Sequence, residues 1–294
     1  MPWLRITLDG GGDDPERLAA QLSAAGAEAV TYEDAADQPV LEPLPGETRL
    51  WPHTRVSGLF SPGADRDALL ATLRRSLGPA APIVDVTELA DQAWERVWLE
   101  RFRPMRFGRR LWVCPHGENP PDPSGVTVLL DPGLAFGTGT HATTALCLEW
   151  LDVQDVHDHS FIDYGCGSGI LAIAALKLGA RHVSAVDHDP QALRAAADNA
   201  TANGVADRIS VLTPDQLPNT LCDGVLANIL AEPLLALAPR IAALVRPGGA
   251  VVLSGIVQEQ AADVMAKYQA WFTMEPPARR EEWVRLSGRR KAAG

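Results

Sequence analysis

Residues 161–180 read Phe-Ile-Asp-Tyr-Gly-Cys-Gly-Ser-Gly-Ile-Leu-Ala-Ile-Ala-Ala-Leu-Lys-Leu-Gly-Ala, and this stretch decides the fold. Two apolar residues lead into Asp163, and an alanine- and leucine-rich segment with helical spacing ends the stretch. Between them three glycines alternate with other residues: Gly165, Gly167 and Gly169. The pattern predicts a buried strand, a tight turn and a helix whose N-terminus faces a ligand, because glycine lets backbone approach that ligand closely.

A second short apolar strand, Val183-Ser-Ala-Val, follows this helix and ends in Asp187. An acid at the end of the second strand of such a unit is placed to accept hydrogen bonds from both hydroxyls of a ribose. The two pieces together predict a nucleoside-binding βαβ unit.

The glycine pattern also bears on which nucleoside binds. The dinucleotide fingerprint is G-x-G-x-x-G, and here Ile170 occupies the position of its third glycine. Asp163, two residues before the first glycine, disfavours a pyrophosphate and suits a cationic ligand. The run from Asp163 to Gly169 resembles motif I of class I S-adenosylmethionine-dependent methyltransferases. A dehydrogenase built on the same βαβ unit is the nearest alternative enzyme.

Length and composition exclude several classes of protein. The 294 residues are enough for two domains, and the hydrophobic content of 46% is that of a globular protein. We expect a cytoplasmic protein without a membrane span, because no apolar run approaches ~18 residues and the N-terminus lacks signal-peptide features. The four cysteines are scattered without zinc-ligand spacing, so no metal site is expected.

Because the net charge is −11, we do not expect nucleic acid to be the main partner. Residues 1–90 hold fourteen acidic residues against seven arginines and no lysine. Such a surface serves solubility or docks a basic partner, for example a ribosomal protein. An arginine cluster with interleaved aromatic residues leaves open a methyltransferase that acts on RNA. Its members are Arg101, Arg103, Arg106, Arg109 and Arg110.

The first 90 residues predict a βαββαβ order, which indicates a small ferredoxin-like α+β domain, a common frame for binding macromolecules. No catalytic constellation is found in it. Residues 91–112 predict a connector helix and hinge with an aromatic stripe made of Trp94, Trp98 and Phe102. Residues 113–294 then form the nucleoside-binding domain, with a frayed basic tail from Gly288.

A second ligand-facing turn is predicted just before the glycine loop, between strand 126–130 and helix 145–151. It is rich in glycine and threonine, and its hydroxyls offer uncharged donors and acceptors: Thr138, Thr140, Thr143 and Thr144. Two roles are open for His141, which precedes the helix: general base, or a residue that fixes the loop.

Asn228 ends the predicted strand from Cys222 and should face the ligand, because ligands in open α/β sheets lie at the carboxyl ends of strands. Its alternative role is to cap the following helix. Further strands near 250–254, 271–274 and 282–287 complete a Rossmann-like sheet of seven strands.

With these residues in hand, the whole chain resembles the ribosomal protein L11 methyltransferase family of bacteria. The segments that carry the resemblance are Trp94–Trp98 with Arg103–Trp112, Asp131–His141, Asp163–Gly169 and Ala227–Leu230. Departures are mild: Ala142 and Tyr164 stand where proline and phenylalanine are expected, and the segment around Leu41 to Glu47 is free to vary.

The resemblance implies transfer of methyl groups from S-adenosylmethionine to lysine and N-terminal amines of a large-subunit ribosomal protein, up to trimethylation. It implies cofactor contacts at Thr144, Gly165, Asp187 and Asn228, and substrate docking by the N-terminal domain. Asp163, Gly167 and Gly169 belong to the same motif. We place Thr144 and Asn228, with His141 beside them, at the reacting end and expect a monomer. The remaining alternatives are a class I methyltransferase that acts on another protein and a non-enzymatic ribosome-associated binding module.

Overall fold

The computed structural model describes residues 2–10, 14–36, 51, 53–78, 82–89, 103–130 and 141–292. The chain divides into two compact units, Met1–Ala93 and Trp94–Gly294. The aromatic stripe of the predicted connector and the loop residues Thr138 and Thr140 lie outside the described residues.

The first unit is a four-stranded antiparallel sheet with two helices. Its elements are β1 (Trp3–Asp9), α1 (Pro15–Ala24), β2 (Ala29–Asp34), β3 (Thr54–Phe60), α2 (Arg66–Leu77) and β4 (Ile83–Leu89). Alternate residues of β1, such as Ile6 and Leu8, are buried together with Leu18 and Leu22 of α1. The strand order β2-β3-β1-β4 confirms the predicted ferredoxin-like fold.

The second unit contains a large sheet in the order β10-β9-β8-β11-β12-β15-β13, with β14 added beside β15. Its strands are β8 (Ser160–Tyr164), β9 (His182–Val186), β10 (Ile209–Leu212), β11 (Cys222–Asn228), β12 (Val245–Val257), β13 (Phe272–Met274), β14 (Ala278–Arg280) and β15 (Trp283–Arg290). The first five strands of that order are parallel, whereas β15 runs antiparallel to β12 and β13. The predicted seven-stranded Rossmann-like sheet is confirmed, and β14 is an addition.

Helices cover both faces of this sheet. They are α3 (Ala142–Val153), α4 (Ile170–Lys177), α5 (Pro190–Ala202), α6 (Ala231–Leu244) and α7 (Ala261–Tyr268). Residues 170–176 of α4 are all buried, because this helix is enclosed between the sheet and neighbouring elements. Strand order reverses between β8 and β11, so a crevice opens at their carboxyl ends.

A small three-stranded sheet precedes the large one. Its strands are β5 (Met105–Phe107), β6 (Leu111–Cys114) and β7 (Val126–Leu129). Buried Asp152 of α3 accepts hydrogen bonds from three backbone N–H groups of the turn between β5 and β6, those of Arg109, Arg110 and Leu111. The end of β7 is held by Asn203, whose amide pairs with both backbone groups of Leu129 at 2.8 and 2.7 Å.

Two members of the predicted arginine cluster, Arg106 and Arg110, have structural roles in this hairpin, and Arg101 lies outside the described residues. Arg106 donates to the backbone oxygen of Arg109 and lies over the ring of Trp112. Arg110 pairs with Asp152 at 3.6 Å. These contacts do not favour a surface dedicated to RNA.

Two boundaries differ from the prediction. Helix α3 begins at Ala142 rather than 145, because the His141 side chain caps it there. The frayed tail from Gly288 is wrong: β15 continues to Arg290, since residues 288–290 pair with β13. Among the helices of the described ranges, none is long and apolar enough to cross a membrane.

Candidate functional site

The glycine loop closes onto the end of β9 through backbone hydrogen bonds. The N–H groups of Gly165 and Cys166 both donate to the carbonyl of Val186, at 2.7 and 3.0 Å. All three glycines have positive φ: +78° at Gly165, +51° at Gly167 and +78° at Gly169. Side-chain-bearing residues rarely adopt this conformation, so the alternation of glycines follows from the path of the loop.

Gly165 is also required for packing. A Cβ placed there would lie 2.2 Å from Cγ2 of Ile229, which follows β11. The glycine loop and the segment after β11 therefore meet without room for a side chain.

Asp187 stands at the end of β9 with its side chain 11% exposed. One carboxylate oxygen accepts from Gly167 N–H at 3.0 Å and the other from Asp189 N–H at 3.1 Å. An ionised carboxylate can accept about four hydrogen bonds, so each oxygen keeps a lone pair for a ligand.

Asp163 is buried behind the loop. Its Oδ2 accepts from Ala172 N–H in the first turn of α4 at 3.0 Å, whereas Oδ1 has no hydrogen-bond partner among the described residues. Burial raises the pKa of this carboxyl to about 7. The hydrogen bond from Ala172 lowers the pKa, and the negative charge of Asp187 raises it. Asp163 is therefore partly protonated at neutral pH.

The start of α3 forms the opposite wall. His141 Nδ1 accepts from Thr143 N–H at 3.4 Å and lies 2.8 Å from the Thr143 hydroxyl. Its ring meets Trp283 edge-on, with centroids 4.9 Å apart. The hydroxyl of Ser254, within β12, donates to Thr143 C=O at 3.1 Å.

Thr144 and Asn228 meet across the site. Asn228 Nδ2 donates to Thr144 Oγ1 at 3.2 Å, and this bond fixes the orientation of the amide. Asn228 Oδ1 is buried and has no hydrogen-bond partner within the described part of the chain. Such an acceptor is costly unless a ligand donates to it. Helix α6 is capped at Leu230 and not at Asn228, so the capping role is excluded.

These elements enclose a cavity of about 550 Å³. Its polar lining includes His141, Asp187, His188 and Asn228, together with backbone of Gly165 and Gly167. Its apolar lining includes Tyr164, Pro214, Ile229, Leu230, Pro233 and Trp283. Mostly apolar walls with a few convergent polar groups are typical of a small-molecule site.

Five of the eight residues predicted to bind the cofactor or to act at the reacting end line this cavity: His141, Gly165, Gly167, Asp187 and Asn228. Thr143 of the predicted threonine-rich turn lines it as well. Thr144, Asp163 and Gly169 do not line it. Thr144 acts through Asn228, Asp163 holds the start of α4, and Gly169 lies against Ala196 of α5.

Several lining residues carry no motif in the sequence. Trp283, Pro214 and Pro233 are ordinary residues there, and no local pattern marks them as site residues. Within the described residues, no group of three or more His, Cys, Asp or Glu side chains can hold a metal ion.

The strand order, the antiparallel β15, the glycine loop and the acid after β9 define a class I methyltransferase fold. Comparison with known proteins agrees. The crystal structure of ribosomal protein L11 methylase from Lactobacillus delbrueckii subsp. bulgaricus superposes with a TM-score of 0.59 at 34% identity, covering 65% of this chain and 100% of that one.

Sequence comparison narrows the class. A family model described as Ribosomal protein L11 methyltransferase (PrmA) matches residues 2–291. Two proteins named Ribosomal protein L11 methyltransferase, from Marinobacter nauticus and Nitrosococcus oceani, are each 53% identical, and each alignment covers 99% of this chain. The alignments cover 99% and 100% of those proteins respectively. The chain belongs to the ribosomal protein L11 methyltransferase family.

The packing of Gly165 predicts an unequal response of two glycines to alanine. Gly204 has a positive φ of +67°, and a Cβ added there would meet no atom within 4 Å. Gly204→Ala should therefore lower the free energy of unfolding by about 1–2 kcal/mol through backbone strain alone. Gly165→Ala should cost about 3 kcal/mol or more, because overlap with Ile229 is added. Urea unfolding of both variants measures the difference, and equal costs would contradict the packing argument.

The buried Asp163 predicts a pH dependence of stability. Its folded-state pKa of about 7 lies above the unfolded value of ~3.9, so between these values the folded chain holds a proton that the unfolded chain has released. The contribution of this group to the free energy of unfolding therefore falls as pH rises from ~4 to about 7 and is constant above.

Asp163→Asn removes the titration and keeps the shape of the side chain. The free energy of unfolding of the variant, relative to that of the unchanged chain, should increase when the pH is raised from about 5 to about 8. Urea unfolding at the two pH values measures this change. A stability difference that is the same at both pH values would show that Asp163 does not titrate in this range.

Proposed function

We propose that this protein transfers methyl groups from S-adenosylmethionine to lysine side-chain and N-terminal amines of ribosomal protein L11, up to trimethylation. The observation that carries the proposal is the buried Asn228 Oδ1, held by Thr144 on the cavity wall without a donor among the described residues. An amine entering the cavity supplies the missing N–H. Family membership and the names of the relatives support the same substrate.

The residues present fit S-adenosylmethionine. Asp187 keeps acceptor capacity for both ribose hydroxyls, and the cavity accommodates a nucleoside with an amino-acid arm. Gly165 and Gly167 let the methionine end approach the backbone. Asp163, buried behind the glycine loop, would when ionised favour a cofactor that carries an ammonium and a sulfonium.

The cofactor supplies an activated methyl group on a sulfonium, so the protein mainly orients the amine and excludes water. A lysine amine has a reference pKa of ~10.4 and must lose a proton before it attacks. The apolar residues Ile229 and Pro233 disfavour the charged ammonium and lower that pKa. Asn228 Oδ1 accepts an N–H of the neutral amine, or of its monomethyl form, and thereby directs the lone pair in the first two transfers. The dimethylamine has no N–H left, so the apolar walls alone position it for the third transfer.

His141 serves the site by holding the first turn of α3 and not as an essential base. Its Nδ1 accepts from Thr143 N–H and its ring packs on Trp283. The turn it fixes carries Thr144, which orients Asn228.

This role predicts rescue by another capping residue. His141→Asn keeps a good N-cap and should retain methyl-transfer activity within about threefold, whereas His141→Ala should lose about tenfold through the loosened turn. Steady-state kinetics with S-adenosylhomocysteine affinity measured alongside tests this. If both variants abolish turnover while cofactor affinity is intact, His141 is a base and the positioning role is wrong.

We further propose that residues 1–90 dock the substrate protein and that residues 91–112 act as a hinge that presents different amines. The acidic excess of the first unit complements a basic ribosomal protein. We propose a monomeric, cytoplasmic enzyme.

One experiment tests the function and the domain roles together. Labelled methyl transfer from S-adenosylmethionine is measured into ribosomal proteins and ribosomal RNA from unmethylated cells, with the full chain and with a chain beginning at residue 94. The full chain should label amines of L11 alone. The shorter chain should bind S-adenosylhomocysteine normally and label nothing.

The alternative outcomes separate the hypotheses. Label in RNA would overturn the amine substrate, and full activity of the shorter chain would overturn docking by residues 1–90. If the full chain binds the cofactor but labels nothing, the protein would still be a methyltransferase, and ribosomal protein L11 would be the wrong substrate.

A further inference from the structure

Leu230 is an exposed leucine at the mouth of the cavity. It is 48% exposed and lines the cavity two residues after Asn228. Three other large hydrophobic residues are exposed in the described part of the chain, and none of them lines this cavity: Val84, Val153 and Leu221. Exposure of a leucine at this position therefore needs a reason beyond ordinary surface composition.

Leu230 also stands where a polar residue would stabilise the fold. It is the N-cap of α6, and no side-chain hydrogen bond caps this helix. Among the six other described α-helices, α4 and α7 also begin without a side-chain cap. The remaining four begin with a side chain that accepts a backbone N–H: Asp14, Asp65, His141 and Asp189. The backbone of Leu230, at φ −62° and ψ 157°, is extended as a serine or aspartate cap requires.

Leucine at a cap position loses helix stability and exposes apolar area. Positions that break a local rule in this way are expected at functional sites. The neighbours of Leu230 share its character, since Ile229, Pro233 and Leu237 line the same cavity. A ligand that reaches Asn228 Oδ1 from the mouth meets this apolar wall.

We propose that Leu230 is a specificity-determining residue that contacts the alkyl stem of a lysine side chain. The stem is a long unbranched chain with a single polar end, which matches an apolar wall leading to one buried acceptor. This inference rests on the proposed function and deepens it, because the two kinds of substrate amine differ in whether an alkyl stem leads to the nitrogen. An N-terminal α-amine carries no such stem, so Leu230 favours lysine over the N-terminal amine.

The test uses Leu230→Ser, which removes the apolar contact and adds a helix cap. Leu221→Ser is the matched control, since Leu221 is 55% exposed and does not line the cavity. Site-resolved mass spectrometry follows initial rates of methylation at lysines and at the N-terminal amine of L11, and titration with S-adenosylhomocysteine follows cofactor affinity.

We expect Leu230→Ser to lower kcat/KM at lysines about tenfold, as loss of about 50 Å² of apolar contact implies. The N-terminal rate and the cofactor affinity should stay within about twofold. The thermal midpoint should rise by about 2–4 °C because α6 gains a cap, which separates the effect from misfolding. Leu230→Met should restore lysine methylation, and Leu221→Ser should change neither rate.

The inference is overturned if Leu230→Ser lowers the methylation rates of both kinds of amine equally, or leaves the lysine rate unchanged. In either case, methylation of L11 by the unchanged chain would still support the proposed function. If the unchanged chain methylates no amine of L11, the proposed function and this inference both fall.

Discussion

The site depends on the hydrogen bonds between the glycine loop and the end of β9. Gly165 and Cys166 donate to Val186, and Gly167 donates to the carboxylate of Asp187. These bonds close the turn between β8 and α4, bring the acid of β9 to the cavity and set where α4 begins. They form only along a path with positive φ, and contact with Ile229 leaves no room for a Cβ at Gly165. Backbone geometry therefore explains the spacing of the glycines.

Two carboxyls near this loop have different environments and thus different properties. Asp163 is enclosed, has one oxygen without a partner among the described residues and has a pKa raised by burial. Asp187 reaches the cavity and is held by two backbone N–H groups. A neutral Asp163 relieves repulsion with the charge of Asp187, and a bound cation would lower the pKa of Asp163. The protonation state of Asp163 is thereby linked to the binding of a cationic ligand.

The reacting side is assembled from segments far apart in sequence. The bond from Asn228 to Thr144 spans 84 residues, and that from Ser254 to Thr143 spans 111. Trp283 of β15 packs against His141. The antiparallel β15 beside β12 places this tryptophan next to α3, so the last strand contributes to the wall of a site that begins 140 residues earlier.

Local patterns in the sequence determined much of this protein. Alternating glycines, an acid after the second strand and a βαββαβ order at the N-terminus were enough to predict both folds, because backbone conformation and side-chain periodicity act over a few residues. Gly165, Gly167, Asp187 and Asn228 were predicted at the cavity for the same reason: strand ends in an open sheet meet at one edge.

Tertiary structure alone decided which partners those residues take. It turned Asp163 toward α4 and away from the cavity, made Thr144 a support for Asn228, and assigned the cap of α6 to Leu230. It also brought Trp283 to the site and paired residues 288–290 with β13, where the sequence had predicted a frayed tail. These outcomes depend on burial and on contacts between distant segments, which no local pattern of residues contains.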